Sequence, residues 1–294
     1  MCTAIGTGEI ILDIIFRNGR PYHATPGGSV FNGTVSLARS GIRTVFIGEL
    51  CNDRTGRQAL DFMHRNRIDV DYIEIYDDDG NTPVSLAYLD DNNDAQYTFY
   101  RNPPAIRRQF RYPPITKGDV VIIGSYFAVS PEFRDHIRRL LGIARLQGAT
   151  VYYDINFRAP HAHQRKHLIP AVMENFMAAD IVRGSMDDLD LLFPGETPQT
   201  VYGKYLNGKL FVVTDGGKDI YFRNDITEKY YTPPAIKTVS TIGAGDSFNA
   251  GIVLSILQNN ITDAGKIGET DCDKLAGAGI MLASQVCMSM ENYL

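Results

Sequence analysis

A chain of 294 residues, 44% hydrophobic and 21% charged, can bury a large core without disulfide staples and lies far from the composition of a disordered chain. Its formal net charge of −5 supplies no basic field to gather nucleic acid or an anionic membrane, so a small-molecule partner is expected. Cys2, Cys51, Cys272 and Cys287 form no C-x-x-C pair and read as reduced thiols; without a basic signal start or an apolar run near the roughly 18 residues of a membrane span, a cytoplasmic location is expected.

In chain order, residues 3–8 read as a short apolar strand ending in glycine, 29–40 carry apolar residues at helical spacing, and 44–48 read as a second strand. Residues 72–100 then alternate apolar and polar side chains, with turn-rich DDDGN and DDNND corners. These strands, with 13–23, are expected to form antiparallel hairpins in a small projecting sheet, a lid made by about 13–23 and 72–101. Four further apolar runs, at 120–123, 150–154, 181–183 and 210–214, are separated by helix-length stretches. Strand alternating with helix predicts an α/β fold, a mostly parallel sheet covered by helices on both faces, in one domain spanning 1–294.

The segment KTVSTIGAGDSFNAGIVLSIL carries the chemistry. Gly243 and Gly245 permit a tight turn around Ala244, and Ser247 to Leu257 continue at helical spacing. Backbone N–H groups at a helix start make an anion site. Asp246, placed at that start, could take the proton of an attacking hydroxyl, and the helix dipole is expected to lower its pKa. By itself the loop is equally compatible with an ordinary helix start. It is not a P-loop, since no G-x-x-x-x-G-K-[ST] occurs, and Gly6-Thr7-Gly8 is followed by Ile11 where a dinucleotide fingerprint has glycine.

TIGAGDSFNAG resembles the D-T-x-G-A-G-D-x-F motif of the PfkB, or ribokinase-like, carbohydrate kinases, most closely fructokinases. That resemblance implies a three-layer ribokinase-like α/β/α sandwich, Asp246 as base, and Gly243, Ala244 and Gly245 as anion hole. PGGSVFNGTVSLARSG looks like the family's first motif and implies sugar contacts from Gly27, Gly28 and Asn32, with Asp13 upstream as a hydroxyl ligand. YDINFR resembles D-x-N-x-R, implying roles for Asn156 and Arg158 near substrate or phosphate. ADIVRGSMDDLDLLF resembles the N-x-x-E region, with Ser185 for the Asn and Asp188 for the Glu. Asp188 is then the residue that would organise Mg²⁺ through water. VVTDGG resembles the T-x-G strand, implying ATP contacts from Thr214 and Gly216, joined by Thr241.

Ser240 stands where the motif opens with Asp, which weakens any K⁺ site beside the anion hole. AQYTFYRNPPAI resembles the matching segment of fructokinases and 2-keto-3-deoxygluconate kinases. There Arg101 could clamp a carboxylate, donate to hydroxyls, or close the lid as a salt bridge. The reading is an ATP-dependent kinase of fructose or a related ketose. A keto-acid kinase, a ribokinase and a non-catalytic sugar and nucleotide sensor remain as alternatives. The resemblance also implies a homodimer joined through the lid sheets.

Overall fold

The apolar runs become buried strands. The computed structural model describes residues 2–77, 80–89, 95–261 and 263–294. Its strands are β1 (Ala4–Thr7), β2 (Ile11–Arg17), β3 (Arg20–Gly27), β4 (Thr44–Cys51), β5 (Ile68–Asp69), β6 (Ile73–Tyr76), β7 (Asn81–Leu89), β8 (Ala95–Asn102), β9 (Val120–Gly124), β10 (Thr150–Asp154), β11 (Ile181–Ser185), β12 (Leu210–Thr214), β13 (Ile220–Arg223) and β14 (Glu228–Tyr231). Among the described residues the main sheet runs β14-β13-β12-β11-β10-β9-β1-β4-β5, with β6 also on β4. From β12 to β5 the pairing is parallel, and β13 and β14 add an antiparallel edge.

Successive side chains of a strand face opposite sides, which divides the core in two. On one face Val151 and Tyr153 of β10 pack with the helices Arg134–Gln147 and Arg165–Ala178. On the other, Tyr152 packs with the helices Ser29–Arg39, Ala244–Asn259 and Glu269–Cys287. Both faces are therefore covered, as the strand and helix alternation requires.

A second sheet has the order β3-β2-β7-β8. Ile15 and Ala87 on its underside pack against Ile242, the residue before Gly243, which sets this sheet over the glycine turn. It differs from the sequence expectation in two ways. Residues 73–76 do not join it: β6 runs parallel to β4 from Gly48↔Ile73 to Cys51↔Tyr76. Nor is the sheet wholly antiparallel, because β2 and β7 pair in parallel from Leu12↔Val84 to Phe16↔Tyr88. Alternation identifies a strand but not its sheet or its partner's direction. The expected corners at Asp78-Asp79 and at 90–94 lie outside the described residues.

Candidate active site

The glycine turn closes over the segment 289–294. Gly243 has φ 75°, and a Cβ there would lie 1.9 Å from the carbonyl oxygen of Asn292, so only glycine fits. It caps the Ala244–Asn259 helix. Ala244 N–H donates to the Thr241 carbonyl at 3.2 Å and Ser247 N–H to the Gly243 carbonyl at 2.8 Å. The other first-turn donors, on Gly245 and Asp246, have no carbonyl within the helix to meet, as at any helix start.

The Asp246 carboxylate is held on both oxygens. Ser29 Oγ–H donates to Oδ1 at 2.9 Å and Asn32 Nδ2–H to Oδ2 at 2.8 Å. Ser29 and Asn32 are one helical turn apart, on the same face of the Ser29–Arg39 helix. Burial pushes the Asp246 pKa up to about 6, and the charge of Asp154 adds to this, while the Asn32 and Ser29 hydrogen bonds and the Arg158 charge oppose it. The lowering expected from the helix dipole is thus overturned, because desolvation by the surrounding protein outweighs it.

Asp154 ends β10, buried, and pairs with Arg183 Nη1 at 3.1 Å. Arg183 Nη2 donates to Thr214 Oγ1 at 2.5 Å, and the guanidinium lies against Gly245, where a Cβ would be 3.2 Å from both Nη atoms. Thr214 is the register partner of Ser185 across β12 and β11. Side chains from the carboxyl ends of three parallel strands therefore converge on one helix start, where open α/β sheets bind ligands.

Asp13 on β2 is buried beneath the small sheet and accepts hydrogen bonds from Ser85 Oγ and, at 3.3 Å, from Asn292 Nδ2. Burial pushes its pKa up to about 6 against the Ser85 hydrogen bond. Gly27 is required beside it, since a Cβ there would stand 2.1 Å from Asp13 Oδ2. Gly28 is the N-cap of the Ser29–Arg39 helix. Asn32 Oδ1 is buried without a hydrogen-bond partner among the described residues.

The remaining expected residues are spread around this centre. Asn156, at φ 38°, is buried just after β10, and Arg158 is exposed. Arg101 of β8 pairs with Glu9 at 2.8 Å, joining the small sheet to the main body, and lines an adjoining cavity of about 290 Å³. Glu49, Glu132 and Arg107 line the same cavity, with Arg107 paired to both acids at 2.9 and 3.0 Å. Gly216 and Thr241 are exposed.

Asp188 accepts N–H bonds from Phe157 at 2.6 Å on one oxygen and from Ser185 at 2.7 Å on the other, and Ser185 Oγ accepts from Asp188 N–H. This capping box starts the Met186–Leu192 helix. Among the described residues no group of three or more His, Cys, Asp or Glu could hold a metal ion. Ser240 is buried, and its Oγ accepts the Ile242 N–H at 3.2 Å.

Sequence reading did not single out Ser29, Ser85, Arg183 or Asn292. Arg183 left a signal, a charged residue inside the apolar strand IVRGS. Ser29 and Asn292 left none, because their partners are 217 and 279 residues away.

The profile of the pfkB family carbohydrate kinases matches residues 10–273. Probable fructokinase-5 of Arabidopsis thaliana is 24% identical over 281 residues, covering 90% of this chain and 86% of that protein. The fructokinase of Vibrio cholerae O395, solved with fructose, ADP and calcium ion, is similar with a TM-score of 0.85 at 22% identity, over 99% of this chain and 94% of that one. Aminoimidazole riboside kinase of Salmonella enterica, solved with aminoimidazole riboside and an ATP analog, gives a TM-score of 0.83 at 18% identity, over 99% and 95%. The fold is the ribokinase-like α/β fold, and with most of its length matched the chain belongs to the pfkB family of carbohydrate kinases.

Proposed function

We propose that the protein transfers the γ-phosphate of ATP to a hydroxyl of fructose or a related ketose, with Asp246 as base. The observation that carries this reading is the Asp246 carboxylate, fixed by Ser29 and Asn32 at a helix start and with its pKa pushed up to about 6. Such a group is mostly ionised at neutral pH yet still basic enough to take a proton as oxygen attacks phosphorus. The Gly243, Ala244 and Gly245 turn places helix-start N–H groups where charge grows on the transferring phosphoryl group.

Asp13 accepts sugar hydroxyls under the small sheet, beside the close backbone of Gly27 and Gly28, and Asn32 Oδ1 has acceptor capacity to spare. Asn156 and Arg158 border this pocket, and the exposed Arg158 can meet a phosphate. Ser185, Thr214, Gly216 and Thr241 lie along the nucleotide side. Mg²⁺, when bound to the phosphates, would neutralise their charge, and Asp188 would reach it through water. Ser240 brings no carboxylate to a K⁺ site.

The surroundings of Arg101 support the ketose over the keto-acid. Its charge is already matched by Glu9, and the adjoining cavity holds three acids, Glu9, Glu49 and Glu132, against Arg101 and Arg107. A carboxylated keto-acid would meet a net negative wall, whereas a neutral ketose meets hydroxyl partners. The small sheet acts as the lid, and its outer face, with Leu12, Ile14 and Phe16 of β2 beside Val84, Leu86 and Tyr88 of β7, is the proposed homodimer surface.

ADP release with Mg²⁺ and ATP, measured over fructose, ribose, aminoimidazole riboside and 2-keto-3-deoxygluconate, tests the reading. The highest kcat/KM is expected for fructose. Turnover of the keto-acid above all others would replace the ketose reading, and nucleotide binding without turnover of any sugar would favour a sensor.

A further inference from the structure

We propose that Ser29 is a positioning residue for the base: its single hydroxyl proton holds Asp246 aimed before transfer, and can turn to Asp154 once Asp246 has taken the substrate's proton. The proposal rests on the reading of Asp246 as base. Ser29 Oγ lies 2.9 Å from Asp246 Oδ1 and 3.4 Å from Asp154 Oδ2. A hydroxyl has one proton to give, and ionised carboxylates only accept. Two acceptors therefore compete for one proton, and the shorter contact assigns it to Asp246.

Asp154 does not depend on that proton. Its charge is matched by Arg183 at 3.1 Å, both side chains being buried. Among the described residues Asp246 has no such ion pair, and its two oxygens rest on Ser29 and Asn32. During transfer the substrate O–H bond breaks, an Asp246 O–H bond forms, and the oxygen of the substrate bonds to the γ-phosphorus as the bond from that phosphorus to the β-phosphate oxygen breaks and ADP leaves. The protonated Asp246 can then donate to Ser29 Oγ, while the Ser29 hydroxyl rotates to donate to Asp154. No heavy atom has to move and no proton leaves Asp246, so the polar surroundings are ready for both states of the base.

The other charged or titratable groups facing Asp246 are Asp154 and Arg158 from β10 and the segment after it, Asp13 of β2 and Tyr97 of β8. Arg183 of β11 acts through Asp154. Ser29→Ala leaves all of these side chains in the chain and removes only the hydroxyl, with its 2.9 Å bond to Asp246 and its longer 3.4 Å contact to Asp154.

The test is the pH profile of kcat/KM for the sugar that gives the fastest ADP release, in wild type, Ser29→Ala and Asp246→Asn, with circular dichroism to check folding. Ser29→Ala loses a charge-assisted bond to the ionised carboxylate, about twice as strong as the neutral bond made by the protonated form, so the acid limb should move upward by roughly half a pH unit, with sugar KM on the high-pH plateau changed less than about twofold. A purely structural role would lower activity without moving the limb. An unmoved limb in Ser29→Ala, alongside lost turnover in Asp246→Asn, would overturn this proposal alone. Full turnover in Asp246→Asn would overturn the base reading and this proposal with it.

Discussion

A carboxyl group surrounded by protein is favoured in its neutral form, and both Asp246 and Asp13 are in that position, each with its pKa pushed up to about 6. The consequence for stability has a definite sign. A carboxyl whose folded pKa lies above its unfolded value favours folding while it keeps its proton, and that contribution is lost as pH rises from about 4 to about 6. At pH 7 the Asp246 charge therefore opposes folding, a cost that the proposed role as base would account for. Asp246→Asn should stabilise the fold at pH 7 by about 1–2 kcal/mol, after allowance for partial exposure and for one donor left facing the amide. The gain should shrink toward pH 4.5. Thermal melts of the two proteins at both pH values check this, and equal melting temperatures at pH 7 would contradict it. The identity of this residue was legible in GAGD, but its proton affinity was not. Helix position is written in the local sequence, whereas burial and the nearby Asp154 come from strands far along the chain.

At the scale of elements, β10 and β12 appear at the bounds that their apolar runs predict, and the Ser29–Arg39 helix ends one residue early. Those signals are local. The membership of β6 and the parallel pairing of β2 with β7 were not readable, because both depend on contacts between distant segments. The alternation in β7 had a clearer outcome. Ala87 faces inward onto Ile15 and Ile242, while Tyr88 stacks on Phe16 with ring centroids 4.8 Å apart on the outer face. Tyr88 is 42% exposed, so half of a large aromatic pair is open to a partner on a sheet whose edges also invite pairing. Light scattering is expected to give about twice the 32.7 kDa chain mass for wild type, and Tyr88→Asp is expected to shift it toward the monomer. A monomeric wild type would remove the dimer proposal without touching the catalytic one.

For the whole molecule, the decisive arrangement is that three features from distant parts of the chain meet at one place. The main sheet brings Asp154, Arg183 and Thr214 to its carboxyl ends, the Ala244–Asn259 helix brings Asp246, and the small sheet brings Asp13 above them. The segment 289–294 ties them together: Asn292 bonds to Asp13 while its carbonyl packs on Gly243. Motif order in the sequence pointed to Asp13, Thr214 and Asp246, though not to Arg183 or to the side chains that hold the carboxylates, Ser29, Ser85 and Asn292. The capping role of Asp188 was likewise hidden, since it appears only when Phe157 and Ser185 are brought to its two oxygens. The most direct test of the account is ADP release from Mg²⁺-ATP with fructose by wild type and Asp246→Asn, both shown to be folded. The account predicts steady turnover by wild type and a loss of about 10² to 10⁴ in kcat for the variant; a variant within about threefold of wild type would contradict it.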